Sequence, residues 1–246
     1  MNIANLSGTN IAYLDEGEGQ PIVLIHGFAS TASVNWFGTG WMRTLADAGF
    51  RVIAVDNRGH GQSTKFYEES DYTLSKMAGD IAGLIEELNL DTPHVMGYSM
   101  GCRITTTLAA ESGISLGKLI LAGNGLNMVR GGFDTNIVRD ALLADSLEEA
   151  APGTGRDFRV FAEKTGNDLK ALAACIRGQV IPQSVFESLE NETLVIVGDE
   201  DDIAIDGDKL ADLIPNGRFE PIPGRNHMNA VGDKVYKQKV LEFLAE

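Results

Sequence analysis

His94-Val95-Met96-Gly97-Tyr98-Ser99-Met100-Gly101 runs from a buried-strand pattern into a tight turn, and from Arg103 to Glu111 a helical pattern takes over. A serine placed between a strand and a helix in this way sits on a sharp, strained turn with its Oγ exposed. Glycine on either side lets neighbouring backbone approach where a Cβ would collide. The N-terminus of the following helix then favours negative charge beside the serine. Gly-x-Ser-x-Gly alone arises often by chance; the strand before it and the helix after it give it meaning.

Short apolar runs recur on both sides of this turn. Residues 22–25 (Ile-Val-Leu-Ile), 51–55, 118–121 and 194–197 read as strands buried on both faces, and Arg218 to Ile222 as a weaker last one. Asn2 to Leu6, a Ser7-Gly8 turn and Asn10 to Asp15 read as a polar hairpin. Leu74, Met77, Ile81, Leu84, Ile85 and Leu88 recur at spacings of three and four, the stripe of an amphipathic helix, and Val231 to Leu244 reads as another. Strands alternating with helices predict an α/β fold with a mostly parallel sheet covered on both faces. The rhythm breaks between Asn124 and about Leu189, where helical patterns over 135–150, 156–164, 168–177 and 183–189 follow one another. This is either a helical insertion between two strands or a pair of ordinary crossover helices with long loops.

The chain has 246 residues, 43% hydrophobic and 22% charged, values that exclude a disordered or disulfide-scaffold protein. Its 35 acidic against 20 basic residues give a net charge of −15, which disfavours nucleic acid and anionic membrane surfaces as partners. The first twenty residues show neither a basic nor an apolar leader region, so a cytoplasmic location is the default expectation. Cys102 and Cys175 are expected to be reduced, buried thiols. The four histidines lack HxH or HExxH spacing, so no metal site is expected.

A serine hydroxyl needs a base. His227, in the Gly- and Asn-rich loop Gly224-Arg225-Asn226-His227 after the last strand, is the candidate. A carboxylate is expected at the end of the strand 194–197, which runs into Asp199-Glu200-Asp201-Asp202; the residues themselves leave open which acid serves. His26-Gly27-Phe28 follows the strand 22–25, and a turn at Gly27 aims the Phe28 N–H inward, with the Met100 N–H as second donor of an oxyanion hole.

With these landmarks and Asp56-Asn57-Arg58-Gly59-His60-Gly61-Gln62-Ser63, the chain resembles the α/β-hydrolase superfamily over nearly its full length. The resemblance implies that Ser99 is the nucleophile, Asp201 the acid of a Gly-x-x-Asp motif and His227 the base. It further implies a core of residues 1–123 and 190–246, with 124–189 as a helical cap over the site. Phe133, Leu142, Phe158, Phe161 and Leu172 are the apolar cap residues expected either to meet the substrate or to pack the cap on itself. The segment 56–63 is similar to the family's D-x-R-G-x-G-x-S loop and reads as structural, with Arg58 pairing Asp56 beneath the site and His60 no candidate for the base. A serine at the elbow disfavours haloalkane dehalogenase and epoxide hydrolase activity, which use aspartate there.

The chain thus looks like small carboxylesterases, cofactor-free haloperoxidases, enol-lactonases and carbon–carbon bond hydrolases. Cys102 departs from relatives that carry a further glycine after Gly101. The expected function is hydrolysis of small to medium carboxylic esters through an acyl-enzyme, on a small-molecule substrate and without cofactor or metal. The alternatives are lactone, thioester or carbon–carbon hydrolysis or perhydrolysis at the same residues, or a slow-turnover ligand receptor.

Overall fold

The computed structural model of the chain describes every residue except Phe133. Among the described residues, eight strands form one sheet: β1 (Asn2–Leu6), β2 (Thr9–Glu16), β3 (Gln20–Ile25), β4 (Phe50–Val55), β5 (His94–Tyr98), β6 (Leu119–Ala122), β7 (Thr193–Gly198) and β8 (Gly217–Ile222), in the order β1-β2-β4-β3-β5-β6-β7-β8. β1 and β2 form the hairpin and join antiparallel to β4; every other neighbouring pair is parallel.

Alternate residues of the central strands point to opposite faces. Val23 and Ile25 of β3 pack with α2 (Leu74–Glu87) and α3 (Met100–Glu111) on one face. Ile22 and Leu24 pack with α1 (Trp41–Asp47) and the C-terminal helix, Lys234–Ala245, on the other. Covering both faces is what makes these strands apolar throughout rather than alternating.

Between β6 and β7 lie α4 (Asn127–Arg130), α5 (Thr135–Leu143), α6 (Thr154–Lys164), α7 (Leu169–Cys175) and α8 (Gln183–Glu187). The helix expected over 135–150 stops at Leu143. Arg159 of α6 donates from Nη1 to the carbonyls of Ala141 and Ala144, satisfying the end of α5 from outside. After β7 follow α9 (Gly207–Asp212), β8 and α10 (Lys234–Ala245). The last helix begins at Lys234 rather than Val231, where the Asp233 side chain accepts from the Val235 N–H as N-cap. No helix among the described residues is long and apolar enough to cross a membrane.

Candidate active site

Ser99 follows β5 at the N-cap position of α3 with φ 53° and ψ −114°, a conformation that L-residues rarely hold. The flanking glycines make this turn possible. A Cβ on Gly97 would collide with the carbonyl of Gly101 and the Thr105 hydroxyl, and one on Gly101 with the carbonyl of Ile25 in β3. Cys102 fills the space behind the turn: its buried Sγ donates to the carbonyls of Gly97 and Ala122. Both cysteines are free and buried.

Three side chains from three loops meet here. Ser99 Oγ lies 3.0 Å from His227 Nε2, and His227 Nδ1 lies 2.8 Å from Asp201 Oδ2. Asp201 Oδ1 accepts from the N–H groups of Ile203 and Ala204, both at 2.9 Å, which holds the carboxylate edge-on to the imidazole. Burial opposes ionisation of Asp201, but the hydrogen bond and charge of His227 and the two backbone N–H groups outweigh it, and its pKa falls below the ordinary value. With Asp201 ionised, Nδ1 carries the proton and Nε2 is left to accept from Ser99.

The loop around them is pinned as well. Tyr98 donates its hydroxyl to the His227 carbonyl at 2.6 Å, and the Gly224 N–H donates to Asp199 Oδ1 at 2.7 Å. Gly198 carries no Cβ because one would strike the Arg225 carbonyl, so the strand end and the His227 loop sit in direct contact. Asp199, Glu200 and Asp202 are exposed.

The turn after β3 brings Phe28 beside Ser99, and a Cβ on Gly27 would lie 3.3 Å from both the Ser99 Cβ and the Tyr98 carbonyl, closer than ordinary van der Waals contact. Neither the Phe28 nor the Met100 N–H donates a hydrogen bond among the described residues. Ala29 holds a positive φ of 58° and is clamped from two sides. His60 Nε2 accepts its N–H at 3.2 Å, while Thr165 Oγ1 and Asn167 Nδ2 each donate to its carbonyl at 2.9 Å. Asn167 also accepts the Gly61 N–H through Oδ1.

His26 and His60 are both fully buried, with ring centroids 5.1 Å apart. Each donates from Nδ1 to a carbonyl, of Gly27 and Arg58, and each accepts a backbone N–H at Nε2, from Asn57 and Ala29. Burial lowers His26 to about 4 and, with the charge of His26, lowers His60 to about 3. Both are therefore neutral, structural imidazoles.

Arg58 does not pair with Asp56 as expected. It grips Asp80 of α2 through Nε and Nη2, the latter at 2.7 Å. Asp56 instead accepts the N–H groups of Ala32 and Gln62 and sits against Gly61, where any Cβ would overlap its carboxylate. An acid three residues after Met77, on the edge of the α2 apolar stripe, was the readable sign of a buried partner. Thr165 and Asn167 had no such sign, since their role depends on a contact more than 130 residues away in sequence.

Two cavities open onto Ser99, both bordered by Phe28 and Phe158. One of about 100 Å³ is lined by Met100, Arg103, Asn127, Cys175 and Arg177 among others. The other, about 250 Å³, is lined by Tyr98, Phe161, His227, Met228 and Val231. Of the apolar residues expected in 124–189, Phe158 and Phe161 face these cavities, Leu142 and Leu172 are buried in the core, and Phe133 lies outside the described residues.

The chain is similar to known proteins over nearly its whole length. A family model described as the alpha/beta hydrolase fold matches residues 20–158. A non-heme chloroperoxidase of Kitasatospora aureofaciens is 29% identical over 96% of each chain. The crystal structure of a bromoperoxidase from Bacillus anthracis superposes with a TM-score of 0.83, at 24% identity over 100% of this chain and 99% of that one. An esterase from Rhodococcus sp. ECU1013 superposes with a TM-score of 0.78, at 26% identity over 99% and 98% of the two chains.

Proposed function

This chain belongs to the alpha/beta hydrolase fold family, and from that premise we propose that it is a serine hydrolase of small to medium carboxylic esters. The observation that carries the reading is the hydrogen-bonded line from Ser99 Oγ through His227 to the buried Asp201. His227 Nε2 takes the Ser99 proton as Oγ attacks the acyl carbonyl. Asp201 holds the productive tautomer and stabilises the imidazolium that forms. The unpartnered N–H groups of Phe28 and Met100 receive the oxyanion, the latter reinforced by the first turn of α3. His227 then returns the proton to the leaving alcohol, and a water activated by the same imidazole releases the acid and Ser99. Residues 124–189 act as a cap: Phe158 and Phe161 reach the cavities from that segment.

The test is labelling by a fluorophosphonate together with turnover of p-nitrophenyl acetate and butyrate. The wild type should do both and Ser99→Ala neither, at an unchanged circular dichroism spectrum; labelling that survives in the variant assigns the chemistry to another serine. A second reading, perhydrolysis, draws on the likeness to the chloroperoxidase. Here hydrogen peroxide replaces water at the acyl-enzyme and a peracid leaves. Peroxide-dependent halide oxidation in the presence of acetate, lost in Ser99→Ala, would establish it.

A further inference from the structure

Arg103 lies one turn along α3 from Ser99, about 5–6 Å along the helix axis, and lines the smaller cavity. Its guanidinium is fixed by three backbone carbonyls. Nη1 donates to Met128 at 3.1 Å and Gln179 at 2.8 Å, and Nη2 to Asn127 at 3.1 Å. Three of its five N–H donors are thereby used, leaving Nε–H and one hydrogen of Nη2.

No carboxylate pairs with Arg103 among the described residues. Desolvation pushes its pKa down. A desolvated cation without a counterion is costly unless a ligand supplies one. Arg51 and Arg58 show what the Nε and Nη2 donors can do together, since each holds a carboxylate with this pair, Asp15 and Asp80 respectively.

The cavity itself is biased the same way. Arg177 also lines it, and its Nη1 lies 3.6 Å from a carboxylate oxygen of the exposed Glu69. No Asp or Glu is among its described lining residues, in a chain with 35 acids against 20 bases. The surface as a whole repels anions, and this concavity beside Ser99 does not.

We propose that the smaller cavity is a carboxylate subsite, so that the substrate is an ester or related acyl compound bearing a carboxylate a few carbons from the scissile carbonyl. This rests on the serine-hydrolase reading for the chemistry, but the subsite stands or falls by binding alone. Arg103 receives the carboxylate on its free donors, with Arg177 at the mouth. A charge-assisted contact of this kind distinguishes the acid from its neutral ester far more sharply than an apolar pocket distinguishes chain lengths.

Equilibrium binding to Ser99→Ala, which removes turnover, tests it by calorimetry. The probes are the monomethyl and dimethyl esters of succinic, glutaric and adipic acids. At least one monomethyl ester should bind about tenfold or more tightly than its dimethyl counterpart. That advantage should collapse when Arg103→Met is added and shrink when Arg177→Gln is added. Because Arg103 also ties α3 to the 127–128 and 179 carbonyls, Arg103→Lys serves if the methionine variant does not fold; it keeps the charge, loses the fork and should retain only part of the preference. Equal affinity for mono- and dimethyl esters across the series, or a preference unaltered in the folded Arg103 variants, overturns the proposal. Wild-type turnover of p-nitrophenyl acetate is scored separately: its absence refutes the hydrolase reading and leaves the binding result intact.

Discussion

The two carboxylate oxygens of Asp201 face different donors, Oδ1 the N–H groups of Ile203 and Ala204 and Oδ2 the imidazole of His227. In Asp201→Asn the amide oxygen stays with the backbone donors, which need an acceptor, and the NH₂ turns toward His227. The imidazole must then present an unprotonated Nδ1 and carry its proton on Nε2, where it can no longer accept from Ser99. Turnover should fall by about 10⁴, as in the serine-protease template, while Asp199→Asn stays within about tenfold; p-nitrophenyl acetate kinetics on the two variants check it. A second residue-scale expectation follows from the Ser99 backbone at φ 53°. Strain of this kind costs about 1–3 kcal/mol in an L-residue and little in glycine. Ser99→Gly should thus be more stable than Ser99→Ala by about 1 kcal/mol after glycine's own entropy is counted. Urea midpoints at unchanged m-value measure the difference, and equal midpoints would show the turn to be relaxed. The quartet 199–202 also marks how far residue-level reading goes. Four adjacent acids are equivalent on paper, and what separates them is the Gly198 contact with the Arg225 carbonyl, which fixes how the turn faces His227.

At the level of elements, the loop 26–29 depends on two neutral histidines. Each uses Nε2 as an acceptor for a backbone N–H, so protonation would set two N–H groups against each other. Their folded pKa values, about 4 and about 3, lie below the ordinary value of 6.5. Below pH 6.5 the unfolded chain therefore binds protons that the native one does not, and stability falls with pH from there toward 4 and below. His60 alone accounts for a loss of about 2 kcal/mol between pH 7 and pH 5. His60→Gln keeps an acceptor near Ala29 and removes that proton uptake, so its urea midpoint should fall less steeply over this interval; parallel slopes would rule the mechanism out. The long apolar strands and the α2 stripe were legible because burial on one or both faces writes itself as period and run length. Helices α1 and α9, of seven and six residues, were not read. The end of α5 was hidden, since Arg159 supplies it from another helix.

Across the whole molecule, Ser99 stands where two cavities meet, with Phe28 and Phe158 between them at a ring separation of 5.7 Å. Phe158→Ala opens one cavity into the other, so the ratio of kcat/KM for p-nitrophenyl hexanoate over acetate should rise about tenfold, the effect of ~1.4 kcal/mol. An unchanged chain-length profile would mean that Phe158 does not divide the site. The order of the candidates along the chain, Ser99, then an acid of 199–202, then His227, was readable from the motifs. The division of the space around them was not, because it depends on how the helices between β6 and β7 settle on the sheet. Those helices bear on engineering as well. Thr165 and Asn167 hold the carbonyl of Ala29, and Asn167 takes the Gly61 N–H as well. A chimera that imports residues 124–189 from a relative to change selectivity would sever these ties unless the donor segment brings matching partners. Such transplants should fail through a misplaced Phe28 N–H rather than through poor substrate fit, and the units worth exchanging are whole segments together with the loop they brace.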